Sequence, residues 1–110
     1  MPGILFYQRQ SHQLKTDEVT SSQYWSIRSG KMSFTYFEVP PNTKFEKHQH
    51  FNDQITYVLD GELFFEGEDK IYRLKPGDSI IIPSNAEHSV WTTHAGSQAV
   101  DSWTPPIEQY

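Results

Sequence analysis

Short runs in which apolar and polar residues alternate, separated by turn-forming residues, make up most of the chain from residue 23 onward. Such runs are typical of half-buried β-strands, and their spacing is typical of an antiparallel sandwich or barrel. No segment shows the apolar period of an amphipathic helix. Strands are predicted at residues 24–28, 32–39, 45–50, 54–59, 62–66, 70–74, 79–82, 88–92 and 98–103.

Turn chemistry separates these strands. Asp60-Gly61 predicts a tight hairpin, and Pro76-Gly77 predicts a turn before a short apolar strand. The pattern therefore predicts an all-β, single-domain barrel over residues 23–110. Residues 1–22 form a polar N-terminal segment in which the apolar run 4–7 predicts an additional edge strand. A bare apolar edge invites pairing, so we expect a partner subunit to cover it in a homodimer.

Composition excludes several classes of protein. The net charge is −5 and the basic residues are dispersed, so nothing indicates a nucleic-acid partner. There is no cysteine, which excludes disulfides and thiolate metal ligands. No apolar stretch has the length of a membrane span or resembles a signal peptide, so no membrane partner is expected. We expect a cytoplasmic protein.

His48 and His50 are the first candidates for chemistry. Side chains two positions apart on a strand point to the same face, so both imidazoles aim at one point. Gln54 has the same parity if the strand continues without a break. Neutral imidazole and an amide oxygen are suitable ligands for zinc, iron, nickel or manganese. Two polar residues on the solvent-exposed face of a strand, with no role in metal binding, would give the same pattern.

The wider pattern resembles the two motifs of the cupin family. The first motif is a His-x-His followed by a glutamate and a glycine, and its spacing is matched by His48, His50, Gln54 and Gly61. The second motif is a glycine, a proline and a histidine, and its spacing is matched by Gly77, Pro83 and His88. Gln54 stands where the family usually has glutamate. The resemblance implies a double-stranded β-helix, or jelly-roll barrel. It also implies that one divalent ion is held by His48, His50, Gln54 and His88.

Residues 54–59 and 101–106 resemble the small pectin-degradation cupins in particular. Those proteins bind metal through three histidines and a glutamine, and they convert unsaturated uronates into a linear keto form. The resemblance implies that Asp101 and Trp103 line the active site. Ile107 stands where that family has an arginine, so an expected clamp for a substrate carboxylate is missing.

Asp101 and Trp103 also share one face of the last predicted strand. Asp101 is therefore the candidate catalytic residue for moving a proton, and Trp103 is a candidate for stacking on a sugar ring. An aspartate at a solvated strand end and a tryptophan in the core would fit equally well. Tyr36 is a further candidate for substrate binding, although the pattern does not decide which face it occupies.

These expectations combine into one leading hypothesis. The chain is a mononuclear metal enzyme that acts as a Lewis acid on a small, acidic, oxygen-rich substrate, by ring opening or keto–enol tautomerisation. Because glutamine brings no charge, the ion keeps its formal double charge and polarises a bound oxygen more strongly. Two alternatives stay open: a cupin module that binds a small ligand without turnover, and a metal-dependent dioxygenase.

Overall fold

Two antiparallel sheets contain nearly all of the regular structure in the computed structural model, which describes residues 3–110. The ten strands are β1 (Lys15–Thr16), β2 (Gln23–Arg28), β3 (Ser33–Val39), β4 (Lys44–His48), β5 (Asp53–Gly61), β6 (Leu63–Gly67), β7 (Lys70–Leu74), β8 (Ser79–Ile82), β9 (His88–Trp91) and β10 (Ser97–Thr104). One sheet has the order β1-β2-β3-β10-β5-β8 and the other has the order β4-β9-β6-β7. This jelly-roll arrangement confirms the predicted all-β fold class.

The alternating sequence pattern becomes alternating burial along the longer strands. In β3, β5 and β10 every second side chain is buried. The inward side chains pack between the sheets in two apolar clusters. One cluster contains Val58, Leu63, Phe65, Leu74, Ile82 and Ala99, and the other contains Phe37, Val39, Trp103 and Ile107. Burying these faces from water is what holds the two sheets together.

Strand register brings polar residues to one end of the barrel. In the smaller sheet His48 pairs with His88. In the larger sheet Gln54 pairs with Trp103, and Thr56 pairs with Asp101. Because these positions face inward, the interior is polar at this end and apolar farther in.

The N-terminal segment differs from the prediction. Residues 4–7 are not a strand: they have no regular structure, and Ile4 and Phe6 are 99% and 81% exposed. No strand in residues 3–110 pairs with them, so their backbone forms no ladder there. The segment instead contributes β1, which pairs with β2. Met1 and Pro2 of the predicted segment 1–22 lie outside the described residues, and no helix in residues 3–110 has the length and apolar character needed to cross a bilayer.

Strand β4 is also shorter than predicted. It ends at His48, so His50 lies in the connection to β5 and Gln54 begins a new run on β5. The parity argument that puts His48 and His50 on one strand therefore does not hold, and the condition under which Gln54 would share their face, an unbroken strand, is not met. The physical reason is a tertiary contact, since the backbone N–H of Asn85 donates to the carbonyl of His50 and draws the chain out of the sheet.

Candidate metal centre

Three imidazoles meet at the polar end of the barrel. His48 lies at the end of β4, His88 at the start of β9, and His50 in the connection that follows β4. Their ring nitrogens lie within 4.8 Å of one another, and the rings of His48 and His88 are 4.3 Å apart between centroids. His88 is buried, whereas the other two are more exposed. The structure thus brings together the three histidines that the two motifs contributed.

The backbone fixes the tautomer of each ring. The Nδ1 atoms of His48, His50 and His88 lie 2.7, 3.0 and 2.8 Å from backbone carbonyl oxygens, each two residues away in sequence. A carbonyl oxygen can only accept a hydrogen bond, so each Nδ1 carries the proton and donates it. In the neutral ring Nε2 then has a free lone pair. The arrangement is the one in which an imidazole ligates a metal through Nε2.

Gln54 adds an oxygen to this set. Its Oε1 lies 2.9 Å from Nε2 of His50, and the side chain is buried. Both atoms are acceptors when the ring is neutral, so the contact is unfavourable unless a positive charge satisfies both lone pairs. Two ligands at right angles on one ion, each with a bond of about 2.1 Å, lie about 3 Å apart. The donor set therefore fits one divalent ion held by His48, His50, Gln54 and His88.

Burial keeps His88 neutral. Desolvation, reinforced by the like charges of His48 and His50, lowers the pKa of His88 to about 4, against the opposing hydrogen bond to the Ala86 carbonyl. A neutral imidazole is the form that binds metal. This ring is thus ready to ligate at any pH well above that value.

Asp101 lies on β10, opposite Thr56 of β5, and Thr56 separates it from Gln54. Its carboxyl accepts a hydrogen bond from the Thr56 hydroxyl, which in turn accepts one from Nε2 of Gln54 at 2.8 Å. Burial raises the pKa of Asp101 to about 7, although the hydrogen bonds from Thr56 and Gln54 oppose the shift. A carboxyl with this pKa both holds and releases a proton near neutral pH.

Trp103 is a core residue that also lines the site. It is only 5% exposed, its ring lies 5.3 Å from that of His50 between centroids and nearly perpendicular to it, and its Nε1 donates to Thr35. Trp103 therefore packs in the core, as one of the two interpretations from sequence had it, and it also lines the cavity. Its role in substrate binding stays a prediction.

Tyr36 does not belong to the site. On β3 the inward positions are Ser33, Thr35, Phe37 and Val39, so Tyr36 lies on the outer face. There it stacks on Trp25 and donates to Glu38. The prediction that it binds substrate beside the histidines is wrong, because alternation along the strand turns its side chain away from the interior.

Ile107 takes part in the core rather than in the site. It is 2% exposed and packs with Phe37, Val39 and Trp103. Its backbone N–H donates to Ser33, and its carbonyl accepts from Arg28. The residue that replaces the family arginine is therefore an apolar contact that anchors the chain after β10.

Sequence reasoning missed Thr56 and Tyr110. Thr56 lies two residues after Gln54, so strand parity alone would have placed it on the same inward face. Tyr110 packs edge-on against Phe37 at 4.8 Å and lines the interior, and burial raises its pKa to about 12. No local signal marks it, because its position depends on how the chain returns after β10.

A cavity of about 50 Å³ extends from the polar end into the core. Its polar lining consists of His48, Gln54, His88 and Asp101, and apolar side chains form the rest of the wall, among them Phe45, Phe65 and Trp103. This is far below the ~300 Å³ of a site that encloses a drug-sized ligand. The cavity therefore has room only for a small chemical group.

Comparison with known proteins agrees with these features. The family described as "Cupin domain" matches residues 35–100. An acireductone dioxygenase of Phaeosphaeria nodorum is 31% identical over 100 residues, which cover 82% of this chain and 57% of that protein. The pectin degradation protein KdgF of Dickeya dadantii is 39% identical over 61 residues, which cover 53% of this chain and 54% of that protein.

The structure of KdgF from Halomonas sp. superposes with a TM-score of 0.87 at 23% identity and covers 97% of this chain and 98% of that one. These matches confirm the resemblance that the two sequence motifs indicated. The chain spans between 19% and 57% of the length of the curated relatives named acireductone dioxygenase and KdgF.

Proposed function

The chain belongs to the cupin family, and we propose that it is a mononuclear metal-dependent enzyme that opens or tautomerises a small sugar acid or related enolisable carbonyl compound. The observation that supports this most directly is the donor set. Three imidazole Nε2 atoms and the Gln54 amide oxygen converge as acceptors with no hydrogen between them. A divalent ion, whether zinc, nickel, iron or manganese, satisfies all four.

The neutral ligands determine what the bound ion supplies. An ion held by these residues would supply Lewis acidity toward a carbonyl or hydroxyl oxygen of the substrate. Gln54 would leave its formal double charge undiminished, where a glutamate would cancel one unit of it. The same exchange removes a carboxylate from among the ligands, so proton transfer falls to another residue.

Asp101 is the proposed proton carrier. Enolisation requires a group that takes a proton from one atom of the substrate and returns it to another. A buried carboxyl with a pKa near 7 is suited to both steps at neutral pH. Its position behind Thr56, beside the ligand Gln54, puts it at the same polar end of the cavity as the ligands.

The interior favours a small carbonyl group as the part of the substrate that enters. Apolar side chains form most of the cavity wall, and the Trp103 ring lies beside His50, nearly perpendicular to the imidazole. Ile107 supplies no charge for a carboxylate. An acidic substrate would place its carboxylate outside the apolar interior, toward solvent.

A dioxygenase is the second candidate. It is favoured by the relative from Phaeosphaeria nodorum, a protein named acireductone dioxygenase that aligns over 82% of this chain. An iron or nickel ion held by the same four residues would suit such chemistry. The two candidates share the metal site and differ in whether oxygen is consumed.

Elemental analysis followed by two assays tests the proposal. The purified protein is expected to contain close to one divalent ion per chain, and the His48→Ala/His50→Ala double variant is expected to contain none. The metal-loaded protein is then given an unsaturated uronate without oxygen, and an acireductone with oxygen.

Turnover of the uronate without oxygen supports the isomerase. Oxygen consumption with only the second substrate supports the dioxygenase. Stoichiometric metal without turnover of either substrate would leave a cupin module that binds a small ligand. Absence of metal after incubation with zinc, nickel, iron and manganese would contradict the whole proposal.

A second copy of the chain is the proposed protein partner. Four apolar side chains on the outer face of β5 and β8 are between 44% and 67% exposed; they are Ile55, Tyr57, Leu59 and Ile81. We call them the outer apolar patch. Together with residues 4–7 they are apolar surface that a homodimer would cover. The cytoplasmic location stays a prediction.

A further inference from the structure

A chain of two hydrogen bonds connects the proposed ligand Gln54 to Asp101 through Thr56. Nε2 of Gln54 donates to Oγ1 of Thr56 at 2.8 Å, and that hydroxyl donates to Oδ1 of Asp101. The three side chains are 4%, 1% and 7% exposed, respectively. Water therefore does not compete for these contacts.

The hydroxyl decides which way the amide of Gln54 points. Thr56 has one hydroxyl hydrogen, and it is donated in a hydrogen bond to Oδ1 of Asp101. The hydroxyl oxygen is then left with acceptor capacity only, so it must face a donor. The amide has its donors on Nε2 and its acceptor on Oε1. With Nε2 turned to Thr56, Oε1 points at His50.

A flipped amide would reverse both contacts. Oε1 would then face the Thr56 oxygen, whose only hydrogen is engaged in the hydrogen bond to Asp101. Two buried acceptors would be in contact, which is unfavourable. The NH₂ group would face the imidazoles, and an amide nitrogen that carries two hydrogens is no metal ligand. Without the hydroxyl, the free lone pair on Nε2 of His50 would favour the flipped amide in the metal-free protein, so the Thr56 contact is the one that opposes the flip.

We infer that Thr56 is a positioning residue that holds the oxygen of the Gln54 amide toward the three imidazoles, and that this contact favours an amide over a carboxylate at position 54. A glutamate there would offer no donor to the hydroxyl and would bring a second acid close to Asp101. This inference rests on the proposed metal site. It adds a residue outside the ligand set that the metal affinity depends on.

Titration with Co²⁺, followed by visible absorption, tests the inference in the metal-free 110-residue protein. Thr56→Val keeps the shape of the side chain and removes the hydroxyl, whereas Thr56→Ser keeps the hydroxyl. Thr56→Val is expected to weaken Co²⁺ binding about tenfold to a hundredfold and to change the ligand-field spectrum. Thr56→Ser is expected to restore both.

Thr92→Val is the matched control. Thr92 is also buried and hydrogen-bonded, but its hydroxyl contacts Pro40 and Thr43 rather than a ligand. Its loss is expected to lower stability without changing Co²⁺ affinity. A thermal melt of each metal-free variant identifies any that does not fold.

A double-mutant cycle with Gln54→Ala tests the route of the effect. In the Gln54→Ala background, Thr56→Val is expected to cause no further loss of affinity; additive losses would overturn the inference. Equal affinity and equal spectra for wild type and Thr56→Val would overturn it and leave the proposed metal enzyme standing. No Co²⁺ binding by the wild type would overturn both, and the wild-type titration alone would reveal it.

Discussion

Two buried groups at the site have pKa values displaced in opposite directions. Burial raises the pKa of Asp101 to about 7 and lowers that of His88 to about 4, and in each case it favours the neutral form. In the metal-free protein Asp101 stabilises the fold fully below pH 3.8, its ordinary pKa in an unfolded chain. This stabilisation is lost as the pH rises through about 7, the pKa in the folded protein. The contribution of His88 is full above pH 6.5 and is lost as the pH falls through about 4.

The two contributions therefore oppose each other between pH 4 and 6.5. In Asp101→Asn only the histidine term remains, so the free energy of unfolding is expected to rise with pH in that window. In His88→Gln only the carboxyl term remains, so it is expected to fall. Urea denaturation with a chelator present measures both slopes, which should differ by on the order of 2 kcal/mol per pH unit. Parallel slopes would contradict the assignment.

The proposed proton carrier gives a second prediction at the scale of single residues. Asp101→Asn keeps the shape of the side chain but cannot exchange a proton. It is expected to retain the metal and to lose at least about a hundredfold in kcat. Asp60→Asn, an exposed aspartate on the same sheet, is the control and should keep full activity. Normal turnover by metal-loaded Asp101→Asn would show that another group moves the proton.

Glycines at strand ends give a prediction at the scale of elements. Gly61 ends β5 with a φ of +72°, and a Cβ there would lie 1.9 Å from the carbonyl oxygen of Gly96. Gly77 has a φ of +92° but open space around it, and Gly30 also has open space. Alanine at Gly61 is expected to cost more than about 3 kcal/mol, and at Gly77 about 1–2 kcal/mol.

Alanine at Gly30 serves as the control and is expected to change stability by less than about 1 kcal/mol. Denaturant unfolding of the three variants ranks them. Similar losses of stability at Gly61 and Gly77 would mean that the positive φ alone, and not the close approach of Gly96, causes the loss at Gly61.

Most strands were predictable because their signals are local. The alternation in 32–39 and 98–103 identifies inward positions, and Asp60-Gly61 identifies the end of β5. The three histidines and Gln54 were predictable because their spacing is that of a family. The loop position of His50 was not, since it depends on a contact with Asn85, distant in sequence.

Residues 4–7 show the opposite failure. They have the composition of a strand, but no strand in residues 3–110 pairs with them. Sequence composition measures the preference for an extended conformation and does not count the partners that a ladder requires. Thr56 was overlooked for a simpler reason: its role appears only when Asp101 is placed opposite it, 45 residues later in the chain.

At the scale of the whole molecule, the outer apolar patch predicts association. Ile55 and Ile81 are neighbours across β5 and β8, with 51% and 67% of their surfaces exposed. Ile81→Lys is expected to convert a dimer into a monomer in light scattering coupled to gel filtration. Ile71→Lys is the matched control, because Ile71 is 62% exposed on the other sheet. A monomeric wild type, or equal effects of both variants, would contradict the predicted interface.

Each imidazole of the site is oriented by a main-chain carbonyl two residues away in sequence, at Glu46, Asn52 and Ala86. A carbonyl is present whatever side chain stands at those positions. Side-chain substitutions at Glu46, Asn52 and Ala86 that leave the backbone in place should therefore keep these hydrogen bonds. Ring orientation in this scaffold is thus encoded by the path of the main chain rather than by the identity of the side chains at those three positions.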